Sequence, residues 1–454
     1  MSSRPLNVAV VGAGPAGVFT ADILKQQPID TRVDLFERLP VPFGLVRYGV
    51  APDHPRIKAI IDSLHNVLDR GDIRLVAGIE VGSDVSIEEL RGAYDAVILT
   101  TGANDDAALP IPGIDLPGSF GASAFVSWYD AHPDAPLEWP LSAQQVAVIG
   151  AGNVALDITR MLAKHADDLL PTEIPDHVYD TLRASHVTDV HVFARRGPAE
   201  AAFSPLELRE LGEVPDVDIV VDPADMVFDR SSEELMKSSN QRRIVAKILT
   251  GWSERDPATL TASRRIHLHF MQAPVRIEGT DGVEAITVER TRHRVNGTVE
   301  GTGELHRYPI GQIYRAVGYA SSPIPGVPFD AAGRRIPNDK GRVLDDTGTP
   351  IQDLYVSGWI KRGPIGLIGS TKSDSLQTVA QLVDDIRGRA LDGPDVDPLP
   401  TLLDRVGLGG IDWDGWLRID QEERSLGTRR GRDRIKIFDR DHLMSVALNE
   451  TVTA

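Results

Sequence analysis

The run Asn7-Val8-Ala9-Val10-Val11-Gly12-Ala13-Gly14-Pro15-Ala16-Gly17 passes from an apolar strand straight into three glycines spaced G-x-G-x-x-G. Each glycine has its own physical reason. Gly12 permits the tight turn, Gly14 lets the backbone approach a pyrophosphate, and Gly17 lets the following helix pack closely on the strand. Pro15 and Ala16 open that helix, expected over residues 15–27, and its first unpaired N–H groups face the anion. A second strand over residues 32–36 ends at Glu37, twenty residues after Gly17, where a carboxylate can accept hydrogen bonds from ribose hydroxyls. Strand, turn, helix and acid together predict a doubly wound parallel α/β sheet that binds a dinucleotide.

The construction recurs at Gly150-Ala151-Gly152-Asn153-Val154-Ala155, between a strand at 145–149 and a helix at 153–165. Alanine in the third place is an accepted variant. Where the first unit has its acid, the strand at 189–193 runs out into Arg195-Arg196. A carboxylate there would repel a 2′-phosphate; two guanidiniums attract one through charge-assisted bonds. NADPH rather than NADH is therefore expected, the alternative being an exposed pair of loop arginines. Two turns of different character predict FAD at the first and the nicotinamide at the second, since two nicotinamide sites make no chemical circuit.

Between these units the rhythm continues. Ile57, Ile60, Ile61, Leu64, Val67 and Leu68 share one helical face, and residues 95–99 form another buried strand. Residues 108–140, rich in proline and glycine, read as a linker, and 222–256 as a polar stretch with little strand pattern. Strands return at 285–289, 310–317 and 354–357. A helix follows at 374–387 with Leu376, Val379, Val383 and Ile386 on one stripe.

Composition narrows the function. The chain has 454 residues, 41% hydrophobic and 25% charged, which suits an ordinary folded protein of two or three domains. Its net charge of −18 disfavours nucleic acid and anionic membranes as partners. It contains no cysteine, which excludes disulfides, thiolate metal sites, cysteine-ligated clusters and redox dithiols, and no metal site is expected. No apolar run is long enough to span a bilayer, and no leader precedes the strand at Leu6, so the expected compartment is the cytoplasm.

The longer motifs are more specific than either glycine turn. They are Pro42-Phe43-Gly44-Leu45-Val46-Arg47-Tyr48-Gly49-Val50-Ala51-Pro52-Asp53-His54-Pro55, Gly152-Asn153-Val154-Ala155-Leu156-Asp157, Phe203-Ser204-Pro205-Leu206-Glu207-Leu208 and Gly358-Trp359-Ile360-Lys361-Arg362-Gly363-Pro364. Together they resemble the adrenodoxin reductase family of NADPH–ferredoxin reductases, including its bacterial members. The resemblance implies two Rossmann-like domains, with an NADP domain inserted into a discontinuous FAD domain. The expected boundaries are 1–106 and 321–391 for FAD, 107–320 for NADP, and 392–454 for a C-terminal extension containing the basic run 429–436. It implies that FAD is held by the first turn, Glu37, Leu45, Val81, Trp359, Gly366, Leu367 and Ile368. NADPH would be held by Gly152, Asn153, Val154, Ala155, Arg195, Arg196 and Glu207, with Gly366 near the nicotinamide. His54 and Trp359, the candidate catalytic residues, would stand beside the flavin. Each has a plainer reading: His54 a bonded loop residue, Trp359 core, Glu207 a solvated acid, Lys361 and Arg362 local charge balance.

Hydride transfer from nicotinamide to flavin needs stacking at the right distance and no protein acid or base. Without cysteine the electrons must leave the flavin for an external acceptor, expected to be a small iron–sulfur protein of the ferredoxin type. Such acceptors are typically acidic. Residues 237–265 answer that with seven basic side chains against two acidic ones, and Lys237, Arg242, Arg243 and Lys247 are the candidate docking residues. An NADPH diaphorase or flavin monooxygenase acting on a small molecule is the rival enzyme, and a non-catalytic flavoprotein the rival outside enzymology.

Overall fold

The computed structural model describes residues 4–450, apart from 295, 296, 366, 367, 390 and 392. Its first sheet is built around Leu6–Val11, buried at every position because both faces are covered. Thr31–Glu37 and Arg74–Ala77 lie in parallel on one side of it, and Ala96–Leu99 lies on the other. The next strand, Pro350–Val356, comes from far down the chain yet pairs parallel with Ala96–Leu99, Leu354 opposite Val97. Two short antiparallel strands, Arg342–Leu344 and Asn338–Asp339, finish that edge.

The second sheet has six strands, all parallel, in the order Ser119–Gly121, Gln312–Arg315, Gln145–Ile149, Asp189–Phe193, Arg264–His269, Val217–Val221. An antiparallel meander of Gln272–Glu278, Ala285–His293 and Val299–Pro309 covers one face, where Ile277, Ile286 and Val288 pack on Ala147, Ile149 and Phe193. The chain enters and leaves this unit side by side. Asp105–Asp106 and Tyr319–Ala320 form a two-residue antiparallel pair.

Two expectations need correction. Residues 108–140 are not a linker: Ser119–Gly121 is a strand of the second sheet, and the helix Ala122–Tyr129 buries Phe125, Trp128 and Tyr129 in its core. Proline content misled there because these prolines flank elements rather than interrupt them. The polar stretch 222–256 holds no strand among the described residues, as its pattern implies, and forms two helices, Arg230–Ser238 and Asn240–Ser253, capped by Asp229 and Ser239. In the helix Ile368–Ile386 the buried stripe is Val379, Leu382 and Ile386, while Leu376 is half exposed. In the basic run at 429–436, which the sequence marks only by its charge, Arg429 and Arg430 are exposed and the later cations turn inward. Arg432 and Lys436 are buried, and Arg434 pairs with Asp420 and Glu423.

Candidate functional site

Both glycine turns sit at the carboxyl ends of parallel strands, where open α/β sheets present ligands. Gly12 has φ +106°, and a Cβ on it would strike Thr100 O at 2.8 Å. A Cβ on Gly17 would fall 1.8 Å from Gly12 O, so only glycine lets this helix reach this strand. Gly14 is different: the nearest atom to a built Cβ is Gly44 Cα at 3.9 Å, so its space opens outward. The Thr100 hydroxyl donates to Val11 O and Gly12 O, both at 2.8 Å, and locks the turn. Glu37 ends the second strand with one carboxylate oxygen accepting from Ala13 N–H at 2.9 Å and the other from Leu39 N–H at 3.1 Å. Burial raises its pKa although both N–H groups pull the other way. Pro15 and Ala16 occupy the first positions of the helix Pro15–Lys25.

At the second turn Gly150 has φ +147° and backs onto Ala316 O, while a Cβ on Gly152 would meet nothing within 4 Å. Asn153, Val154 and Ala155 begin the helix Asn153–Ala163, and Asn153 Oδ1 accepts from Ser204 N–H at 2.8 Å. Arg195 and Arg196 are exposed just past Asp189–Phe193, and neither guanidinium has a partner among the described residues. Their backbone is held instead, with Arg195 O accepting from Thr291 Oγ1 and Arg196 O from Met271 N–H.

The two units meet at His54. His54 Nε2 lies 2.8 Å from Glu207 Oε2 and 2.9 Å from Asp157 Oδ1, and its Nδ1 lies 3.1 Å from Glu210 Oε2. Glu207 is 4% exposed, so it is not a solvated acid, while His54, 5% exposed, is a loop residue held by hydrogen bonds, as its plainer reading has it. Arg160 threads the same cluster, bonding Asp53 at 2.8 and 2.9 Å and Asp157 at 3.0 Å, with Nη2 2.5 Å from His54 Nε2. Lys164 adds a second cation to Asp53 at 3.1 Å. Burial works against a charge on His54, but hydrogen bonds to Asp157 and Glu207 outweigh it and raise its pKa to about 9. His54, Asp157 and Glu207 bring their ligand atoms within 4.8 Å of one another, a spacing a metal could use. The Arg160 guanidinium already supplies the positive charge in that space.

Asp53, Asp157, Arg160, Lys164 and Glu210 were not singled out by sequence. The signal was available in part: Asn153, Asp157, Arg160 and Lys164 recur at spacings of four, three and four, a polar stripe on an otherwise apolar helix.

The remaining candidates fall around the first turn or beyond it. Leu45 is half-buried in the short helix Gly44–Tyr48, and Val81 is half-buried against the first sheet's core. Trp359 follows Gly358, whose Cβ would lie 2.6 Å from that of Ala16, and it stacks on Tyr319 with ring centres 6.2 Å apart. Lys361 and Arg362 both pair with Asp374, at 2.9 and 3.4 Å. Gly366 and Leu367 lie outside the described residues, and Ile368 begins the helix Ile368–Ile386. Lys237, Arg243 and Lys247 are exposed and Arg242 half-buried on the two helices after Asp229, beside the Phe203–Glu207 stretch, where Gln241 bonds Phe203 O at 3.1 Å.

Two sheets with parallel cores, each carrying a glycine turn at a strand end, joined across a buried charge cluster, define an oxidoreductase of the two-dinucleotide class. Residues 6–200 match the family model described as "Pyridine nucleotide-disulphide oxidoreductase". The "NADPH-ferredoxin reductase FprA" of Mycobacterium tuberculosis is 39% identical, over 98% of this chain and all of that protein. The human "NADPH:adrenodoxin oxidoreductase, mitochondrial" is 37% identical, over 96% of this chain and 91% of its own. The solved structure "Mycobacterium tuberculosis FprA in complex with NADPH" superposes with a TM-score of 0.90, covering 98% of this chain and all of that one. The chain belongs to the family of NADPH–ferredoxin and NADPH:adrenodoxin reductases. No described helix is long and apolar enough to cross a membrane.

Proposed function

We infer that this protein is an FAD-dependent NADPH–ferredoxin reductase that passes electrons to an external iron–sulfur protein. The observation that carries the reading is the contact between His54, from the first dinucleotide unit, and Glu207, from the second, which joins the units that carry the two glycine turns. The residues fit the two cofactors: Gly14 and Gly152 leave open the space a Cβ would fill, and Arg195 and Arg196 present cations with no partner among the described residues.

Bound FAD supplies a two-electron acceptor able to release electrons singly, and bound NADPH supplies the hydride. The chain's own work is binding and exclusion of water. Gly12, Gly14, Pro15, Ala16 and Gly17 take the flavin dinucleotide's pyrophosphate, and Glu37 its ribose. Leu45, Val81 and Trp359 would wall the flavin, and the resemblance assigns Gly366, Leu367 and Ile368 to it as well. Gly152, Asn153, Val154 and Ala155 take the second pyrophosphate, with Arg195 and Arg196 on the 2′-phosphate. His54 on the flavin side and Glu207 on the nicotinamide side, 2.8 Å apart, would close the place where the two cofactors meet, and no side chain needs to move a proton in the hydride step.

A chain without cysteine cannot relay electrons through a dithiol, so they leave for a partner. Lys237, Arg242, Arg243 and Lys247 offer that partner a local positive surface despite the net −18, because steering depends on the field within about a Debye length, ~8 Å at physiological salt. The test is NADPH-driven reduction of a panel of purified ferredoxins at low and high salt. Turnover that falls with salt supports the reading; no turnover with any ferredoxin, alongside brisk reduction of a neutral dye, favours the small-molecule diaphorase.

A further inference from the structure

The chain passes between the two sheets through Asp105–Asp106 and Tyr319–Ala320, a pair of two-residue strands. So short a connection is a hinge, and the angle between the units must be set by side chains elsewhere. One set is the His54 cluster. The other lies in residues 432–437, which fold back along the helix Trp413–Arg429. Ile435 N–H donates to Glu423 O at 3.0 Å, and Ile437 N–H to Glu423 Oε1 at 2.9 Å.

From this anchored position the segment reaches both units. Lys436 is 3% exposed, and its Nζ lies 2.6 Å from Arg47 O in the first unit. It lies 3.0 Å from Asp130 Oδ1 and 2.9 Å from Glu173 Oε1, both on the inserted side. Lys58, four residues after His54, meets the same two carboxylates at 3.1 and 2.5 Å. Two ammoniums and two carboxylates thus form a neutral, buried square. Arg432 donates to Ile174 O at 2.6 Å and pairs with Asp176 at 2.9 Å, while Arg47 pairs with Glu423 at 2.5 Å with both side chains buried. Charges buried this deeply are costly to separate, so the square resists hinge rotation.

We propose that residues 432–437 strap the inserted unit to the first one, and that Lys436 is a positioning residue holding the interdomain angle at which nicotinamide and flavin meet. This rests on the reductase reading above. It gives the C-terminal extension a role in hydride transfer without contact with either cofactor.

The experiment uses purified holoprotein of the parent, of Lys436→Met, and of Lys436→Met/Glu173→Gln, which keeps the square neutral if the single variant fails to fold. Because the chain has no cysteine, Asp62→Cys and Glu254→Cys, both exposed, place one spin label on each unit. The expected result is a broader label–label distance distribution in the variant. With it should come at least tenfold slower bleaching of the flavin band per bound flavin at saturating NADPH, and an NADP+ Kd within twofold of the parent's. An unchanged distance width, or an unchanged rate per bound flavin, overturns the strap. If the parent itself is not bleached by NADPH, the reductase reading fails instead.

Discussion

His54 Nε2 stands 2.8 Å from Glu207 Oε2, and the two residues come from different dinucleotide units. With its pKa raised from 6.5 to about 9, His54 binds a proton more tightly folded than unfolded. Its contribution is therefore complete below 6.5 and is lost as pH climbs through about 9. The size is on the order of 3 kcal/mol, because each tenfold gain in proton affinity is worth ~1.4 kcal/mol. Thermal denaturation of the holoprotein should show Tm falling across that window, and His54→Gln should flatten the fall. Equal slopes in parent and variant would remove His54 as the cause.

The acid limb has the opposite sign. His191, His267 and His269 stack edge by edge in the second sheet, with His191 Nδ1 and His269 Nε2 3.0 Å apart. Burial, with the neighbouring imidazoles, lowers His191 to about 4 and His269 to about 3. Both are neutral when folded and gain protons on unfolding, so stability drops as pH falls below 6.5, by ~1.4 kcal/mol per pH unit per group. His269→Phe, set to stack on Phe193 where the ring centres are now 4.7 Å apart, should reduce the acid slope of Tm.

The glycines separate folding from binding. Gly17→Ala puts a Cβ 1.8 Å from Gly12 O and should abolish soluble, flavin-containing protein. Gly152→Ala meets nothing within 4 Å, so Tm should hold within a degree or so while NADP+ affinity drops tenfold or more. Equal losses of Tm in both variants would contradict this division.

Arg195→Ala/Arg196→Ala should raise KM for NADPH far more than for NADH. Each charge-assisted bond is worth ~1.5–3 kcal/mol, so discrimination should fall at least tenfold. Steady-state kinetics with both nucleotides reads it, and an unchanged ratio refutes the 2′-phosphate assignment.

Arg242→Glu/Arg243→Glu should slow ferredoxin-dependent turnover, most at low ionic strength, and leave reduction of a small neutral dye intact. A parallel loss of both activities would place the damage at the nicotinamide end instead.

Much of this was legible where function is written into short local motifs. The Gly12–Gly17 turn, Glu37, and the swap of an acid for Arg195-Arg196 each express one local requirement, and the folded chain puts them at strand ends. The cluster that joins the units was not legible, because Asp53 belongs to the first unit and Arg160 to the second, and they meet only once both units have folded and docked. Residues 429–436 show a related limit. Sequence sees the cations but not Asp420, Glu423, Asp130 and Glu173, which come from elsewhere to neutralise them. Leu376 illustrates a third limit. Periodicity names a stripe, but the packing of Ile368–Ile386 selected Leu382 in its place.

The most direct test is an anaerobic two-step titration of the holoprotein. One equivalent of NADPH should bleach the flavin band, and oxidised ferredoxin added next should restore it while its own iron–sulfur absorbance shows reduction. A flavin band that NADPH leaves unbleached, or that ferredoxin leaves bleached, would contradict the account.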